Sequence, residues 1–324
     1  MSQVGGSSER VADLDETELI ARFAPLLPFG DRTQIGPGDD AAVLAAPDAR
    51  VVVTTDLLVE GHHFRRDWGS AIDVGRRAAA QNLADVAAMG ASATGLVVGL
   101  VLPPQTEVAW VLGLAEGLAA GCGPHVGVVG GDLSAGESLV VAVTALGDLG
   151  GRRPVLRSGA RPSDVVAHSG RLGWAAAGLA ALEAGRAAEV GEVVGAFLRP
   201  EPPLADGPAA ADAGATALLD VSDGLLRDAG RLAAASGVVI DLTAATLVDA
   251  TLAAAAATLG ADPLALALTG GEDHGLLATF PPELRLPGGF RPIGRVLEAA
   301  AGTRVTVDGA PPAVAARGWD HFRA

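Results

Sequence analysis

The chain has 324 residues, 49% of them hydrophobic, and a formal charge of −15 in which every basic residue is an arginine. Without lysine it cannot be a P-loop NTPase, a protein kinase or a Schiff-base or pyridoxal-phosphate enzyme. The acidic balance argues against a nucleic-acid partner, and the single cysteine, Cys122, excludes an intrachain disulfide and a multi-cysteine zinc site while fitting a cytoplasmic setting.

The length suggests two domains. Residues 1–10 are polar and read as a disordered leader, not a signal peptide. Asp15 is a plausible N-cap for a helix to Leu27, with Leu19, Ile20, Phe23, Leu26 and Leu27 at helical spacing. Ala42–Leu44 and Val51–Thr55 read as strands around a Pro-Asp turn. Ile72–Met89 is a strong helix closed by Gly90. Ala93–Leu102 is a strand, Glu107–Cys122 a helix, Val126–Val129 a short strand and Leu139–Leu146 a longer one. The mixture predicts an α/β or α+β domain over 11–148.

A Gly- and Arg-rich stretch, Gly147–Pro154, marks a break before a second domain, 149–324. There Asp164–His168 reads as a strand, Trp174–Ala184 as a helix, and Pro200, Pro202, Pro203 and Pro208 as a loop. Ala217–Val221 is a strand running into a turn and then the helix Gly224–Ser236. Gly237–Leu242 and Gly275–Phe280 are further strands. The Ala253–Ala257 run signals a helix of a globular chain, since no apolar stretch is long enough to span a bilayer.

Six segments pivot on acidic residues: Gly38-Asp39-Asp40, Thr54-Thr55-Asp56, Asn82 to Asp85, Gly130-Gly131-Asp132, Asp220 to Gly224 and Gly270 to Asp273. Singly, each has an ordinary explanation. Gly and Asp are common turn residues, Asp85 could be a solvated helix charge, and Asp223 could be the N-cap of the following helix. Together, carboxylates beside glycines and threonine hydroxyls are the oxygen donors that Mg2+ takes along with substrate phosphates. Asp56 is expected to end its strand, and Gly130-Gly131-Asp132 to follow one, where glycine lets a phosphate approach the backbone. Asp220 and Ser222 share a side if their strand persists, and helix N-termini attract phosphates. His62 and His63 lie in the loop beyond Asp56. Asp39 and Asp273 are the members most readily given turn or support roles.

The ordered set closely resembles the thiamine-monophosphate kinase family. It runs from Gly36–Asp40, Thr54–Phe64 and Asn82–Ala91 through Gly130–Asp132, Arg157-Ser158-Gly159 and Asp220–Leu225 to Gly270–Asp273 and Gly318–Phe322. The resemblance covers nearly the whole chain. It implies the two-domain fold of the aminoimidazole ribonucleotide synthetase superfamily: an N-terminal α/β domain whose mixed sheet pairs with that of a second subunit in a homodimer, and a C-terminal α+β domain. It implies the reaction ATP + thiamine monophosphate → ADP + thiamine diphosphate. By the family motifs, Asp40, Thr54, Thr55, Asp56, Asp85, Asp132, Asp220 and Asp223 would hold several Mg2+ ions. Asp56, Asp132, Asp220 and Asp223 would be central to catalysis. Gly131, Asp132, Arg157 and Ser222 would contact ATP, and His63, Glu272 and Trp319 the thiamine phosphate. The ordinary alternative for Arg157 is a surface arginine.

The chemistry agrees. The acceptor phosphate, with a second pKa near 6, needs no strong base, and the obstacle is the repulsion between two polyanions, which bound cations relieve. Selenophosphate synthetase and the hydrogenase maturation factor use cysteines at positions this chain lacks. Aminoimidazole ribonucleotide synthetase and a non-catalytic nucleotide or Mg2+ sensor are the remaining rivals, and the Thr-Thr-Asp…His-Phe and Trp-Asp-His-Phe pieces favour the thiamine enzyme over the former.

Overall fold

A computed structural model describes residues 9–37, 41–300 and 302–314. The expected leader thus falls largely outside the described residues, as do Asp39, Asp40 and the Gly318–Phe322 motif with Trp319. The chain divides into two units: Met1–Ala46, Val53–Asn82 and Thr94–Leu146 form one, and Pro47–Val52, Leu83–Ala93 and Gly147–Ala324 the other.

The first unit opens on helix α1 (Glu16–Phe23). Asp15 caps it, accepting the Glu18 N–H at 2.8 Å while the Glu18 carboxylate accepts the Asp15 N–H, a reciprocal capping box. Two short strands, β1 (Thr33–Ile35) and β2 (Val43–Leu44), pair antiparallel. Next come β3 (Val52–Val59), α2 (Ala71–Ala88), β4 (Ser92–Leu102), α3 (Val108–Cys122), β5 (Gly127–Ala135) and β6 (Val140–Asp148). The sheet order is β3-β6-β4-β5, with β4 and β5 parallel. Helices α2 and α3 touch backbone to backbone: a Cβ on Gly117 would stand 2.2 Å from the Ile72 carbonyl oxygen.

Helix α1 stops at Phe23, short of the expected Leu27, and two strand boundaries that bear on the site also differ from expectation. Strand β3 continues past Thr55 to Val59, so Asp56 lies inside a strand. Strand β5 continues through Gly130-Gly131-Asp132 to Ala135, so that segment is part of the strand and not a loop after it. Pairing with β4, in register from Val97↔Gly130 to Leu102↔Ala135, overrides the low strand preference of two glycines and an aspartate.

The second unit contains β7 (Val165–Ser169), α4 (Trp174–Glu183), α5 (Gly191–Leu198), α6 (Asp206–Asp212), β8 (Ala217–Val221), α7 (Leu225–Ser236), β9 (Val239–Leu242), α8 (Ala250–Leu259), α9 (Pro263–Thr269), β10 (Gly275–Phe280), β11 (Arg291–Leu297) and β12 (Val305–Val307). Its sheet runs β12-β9-β11-β7-β10-β8, antiparallel except for the β12–β9 pair. One face carries the larger core, with Leu219, Leu232, Ile240 and Leu277 among its members. The other packs Leu218, Leu276, Phe280 and Phe290. Pro208, expected in a loop, lies in the first turn of α6, where a missing N–H costs nothing.

Candidate active site

In the first unit, alternation along β3 sets the available oxygens. Thr54, Asp56 and Leu58 share the more buried face, while Val53, Thr55 and Leu57 are exposed on the other. Thr55 therefore points away from Thr54 and Asp56, against the expectation that the three offer oxygens together. Its hydroxyl donates to the Val143 carbonyl at 2.9 Å and accepts from Thr144 at 3.2 Å. Beyond the strand, His63 accepts the Val59 N–H on Nδ1 at 3.0 Å. In the neutral ring the proton then sits on Nε2, a donor suited to an anion.

Asp132 is exposed on β5. Strands β3 and β5 are the two edges of the sheet. Asp56 and Asp132 thus stand three strand spacings apart, roughly 14 Å, too far for one ion to touch both. Gly131 has a structural reason to be glycine: a Cβ there would lie 2.0 Å from the Val98 carbonyl oxygen, whereas one on Gly130 would meet nothing within 4 Å. Next to Gly130–Asp132 opens an apolar pocket of about 360 Å3, walled by Ile20, Phe23, Val98, Val111, Leu114 and Val129 among others.

In the second unit two of the predicted segments meet. Asp220, 5% exposed, is the penultimate residue of β8, and Ser222 and Asp223 form a bend between β8 and α7. The Gly270–His274 loop is tied to that bend: Glu272 donates its N–H to the Ser222 carbonyl at 2.8 Å and His274 its own to Val221 at 3.0 Å. Asp223 does not cap α7, whose N-cap is Gly224 with no side-chain bond. Instead its carboxylate pairs with Arg231 at 2.7 Å, and its N–H donates to Asp228 at 3.0 Å. Burial pushes the Asp228 carboxyl up to about 6, against the opposing pull of the Asp223 N–H and Arg231.

Asp273 serves the scaffold. Fully buried, it accepts the N–H groups of Gly173 at 2.5 Å and Ala175 at 2.8 Å, satisfying orphan donors at the start of α4. Burial pushes its carboxyl up to about 7, more than those two bonds lower it. His274, which sequence reasoning passed over, lies between Asp220 and Glu272. Burial alone would lower its pKa, but the two carboxylates outweigh that and hold it up to about 10. The available signal was its position, one residue past the Gly270–Asp273 motif. Arg157 is exposed, and its carbonyl accepts from Ser236 at the end of α7 at 3.1 Å. Asp85 is half-buried on α2.

Among the described residues no group of three His, Cys, Asp or Glu side chains is close enough to hold a metal. The donors nevertheless suit a hard cation: they are carboxylates and hydroxyls, and Asp220 Oδ2 is buried without a hydrogen bond among the described residues.

Residues 38–149 match the model of the AIR synthase related protein, N-terminal domain. A thiamine-monophosphate kinase from Mycobacterium tuberculosis is 51% identical over 279 residues, 85% of this chain and 82% of that protein. One from Corynebacterium glutamicum is 43% identical over 294 residues, 88% of each chain. Among solved structures, AaThiL complexed with AMPPCP and TMP is 34% identical, covers 88% of this chain and 91% of its own, and superposes with a TM-score of 0.76.

Proposed function

We propose that this chain, which belongs to the thiamine-monophosphate kinase family, transfers the γ-phosphoryl group of ATP directly and in line to the phosphate of thiamine monophosphate, giving ADP and thiamine diphosphate. The observation that carries the reading is the junction at the β8 tip. Asp220, Ser222 and Asp223, residues of phosphate and cation chemistry, lie on a segment whose Val221 and Ser222 carbonyls accept from the loop that presents Glu272. Kinship with a protein seen bound to AMPPCP and TMP supports the same pair of ligands here.

In this reading Asp40, Thr54, Asp56, Asp85, Asp132, Asp220 and Asp223 hold Mg2+, with Thr55 contributing at most through its main chain. The bound ions would neutralise the facing polyanions. Ser222, Gly131 and Arg157 meet the ATP phosphates, and the apolar pocket beside Gly130–Asp132 has room for the base. His63 donates Nε2–H to the substrate phosphate. Glu272 accepts from the aminopyrimidine, and Trp319 stacks on a thiamine ring. The acceptor is already largely a dianion at neutral pH, so no side chain has to remove a proton.

A homodimer through the first unit fits two observations. Strand β3 is an edge with Val53 and Leu57 exposed at 63% and 55%, and one sheet alone leaves Asp56 and Asp132 apart. The enzyme would work in the cytoplasm. Incubating purified protein with Mg-ATP and thiamine monophosphate tests the reading: ADP and thiamine diphosphate should form in equal amounts, and binding of both ligands without turnover would replace the kinase with a sensor.

A further inference from the structure

A single hydroxyl in the second unit gathers the backbone of the Arg157-Ser158-Gly159 segment. Ser236, the last residue of α7, accepts on Oγ the N–H groups of Gly159 at 3.1 Å and Ala160 at 3.2 Å. It donates its own proton to the Arg157 carbonyl at 3.1 Å. A serine hydroxyl offers one proton and two lone pairs, so all of this one is committed to the turn. Among the described residues, the hydrogen bonds of Arg157, Gly159 and Ala160 all go to Ser236.

The ends of the turn are fixed independently. Before it, the Leu156 carbonyl accepts the Leu218 N–H of edge strand β8 at 3.0 Å. After it, Ala160 is buried in the larger core. Gly159, at φ of 135°, passes so near the start of β8 that a Cβ would stand 2.3 Å from the Thr216 carbonyl oxygen, so only glycine fits. The side chains that the turn carries are treated differently. Arg157 and Ser158 are exposed, and neither the guanidinium nor the Ser158 hydroxyl has a partner among the described residues. A pinned backbone beneath an unpaired cation is a rigid mount. A guanidinium on such a mount loses less freedom when its planar fork meets phosphate oxygens.

We propose that Ser236 is a positioning residue for the nucleotide: it holds the Arg157 turn in the conformation that aims the guanidinium at the ATP phosphates. This role rests on the proposed function, in which Arg157 meets those phosphates. Ser236 itself touches no substrate, since its hydroxyl is used up by the turn. Leu156 and Ala160 set where the segment enters and leaves, while the peptide planes between them set the direction in which Arg157 projects. Without the hydroxyl, water can take the exposed Arg157 carbonyl and Gly159 N–H, and the turn stays folded but samples several directions.

Calorimetric titration of the full-length protein with Mg-AMPPCP tests this in four forms: wild type, Ser236→Ala, Arg157→Ala and the double variant. Arg157→Ala should weaken binding about thirtyfold, as expected for a hydrogen bond from a charged group. Ser236→Ala should weaken it about fivefold when Arg157 is present and less than about twofold when it is not. Ser236→Thr and Ser236→Val, similar in shape, separate the hydroxyl from packing: the threonine variant should bind within about twofold of wild type and the valine variant should match the alanine one. Thermal unfolding identifies which of the alanine and valine variants is folded for the comparison. Loss of the hydroxyl should lower the melting temperature by about 4 °C at most, equally with and without Arg157. An equal loss of affinity in both backgrounds, no loss from Ser236→Ala beside a clear loss from Arg157→Ala, or a threonine variant as weak as the valine one would overturn the positioning role and leave the proposed function standing. Arg157→Ala protein that binds Mg-AMPPCP as wild type does would remove the Arg157 contact and this role with it. Wild-type protein that binds Mg-AMPPCP but makes no thiamine diphosphate would instead overturn the kinase reading.

Discussion

Asp223 shows how a residue with an ordinary explanation can lose it. At the start of a helix an aspartate is expected to cap, yet here Gly224 holds that position and Asp223 turns to Arg231. Its neighbour Asp228 takes the strain of the arrangement, accepting the Asp223 N–H and the Arg231 guanidinium while itself almost wholly buried. A carboxylate paired with an arginine, on a residue whose N–H is anchored to a buried acid, and capping no helix donor among the described residues, is kept in place for something other than the helix. Asp56 is comparable, half-buried in the middle of β3 beside Thr54. Asp223→Asn and Asp56→Asn should each lower kcat for thiamine monophosphate phosphorylation about a hundredfold or more. Each should move the melting temperature by no more than about 3 °C: the partly exposed Asp223–Arg231 pair contributes about 1 kcal/mol at most, and asparagine keeps the size and one oxygen of the Asp56 side chain. Steady-state kinetics and thermal unfolding on the same preparations check this; matched losses would assign both residues to structure.

At the scale of elements, α4 depends on a residue 98 positions away. Gly173 at its N-cap offers no side chain, and Asp273 supplies the missing acceptor. Asp273→Ala should cost about 2 kcal/mol or more by leaving buried donors unmet, and Asp273→Asn, which keeps one acceptor oxygen, should cost less. Denaturant midpoints at constant slope measure both. Local pattern made some elements legible: the Asp15 N-cap, the alanine-rich α2 closed by Gly90, and the apolar strand that carries Asp220 all appear where their residues predict. Partners distant in sequence hid the others. Strand β5 runs through Gly-Gly-Asp because β4 pairs with it in parallel, and β3 absorbs Asp56 because β6 continues beside it. Strands β11 and β12 carry no clean alternation, and α6 hides behind Pro208. For the site, residue types and motif order pointed to Asp220, Ser222, Asp223 and Glu272, but the opposed faces of Thr54 and Thr55 and the bridge at His274 depend on register and backbone conformation.

For the whole molecule, pH and assembly are where separate residues act together. His168 lies fully buried on β7, which runs between β11 and β10, with neither ring nitrogen hydrogen-bonded among the described residues. Burial, helped by Arg291, pushes its pKa down to about 3 from an ordinary 6.5. Between those values the unfolded chain binds a proton that the native one refuses, so His168 removes stability as pH falls through that window, by up to roughly 1.4 kcal/mol per unit. Asp273 and Asp228, with raised carboxyl pKa values, act in the opposite sense as pH falls below about 7 and 6. The signature is therefore a difference: His168→Leu should gain stability over wild type progressively from pH 6.5 downward, read from urea midpoints at each pH. Assembly has its own signature. Asp56 and Asp132 occupy opposite edges of one sheet, and a two-fold partner would set one chain's β3 edge against the other chain. If each active site draws Asp56 from one subunit and Asp132 from its partner, Asp56→Asn and Asp132→Asn homodimers are both inactive. A mixed dimer then collects both lesions in one site and leaves the other intact. Random co-assembly makes half the dimers mixed, so differently tagged, co-expressed variants should recover about a quarter of wild-type turnover. The mixed species, isolated through both tags, should reach about half. If each site is built within one chain, every site in the mixture carries a lesion, and activity stays at the level of the single variants.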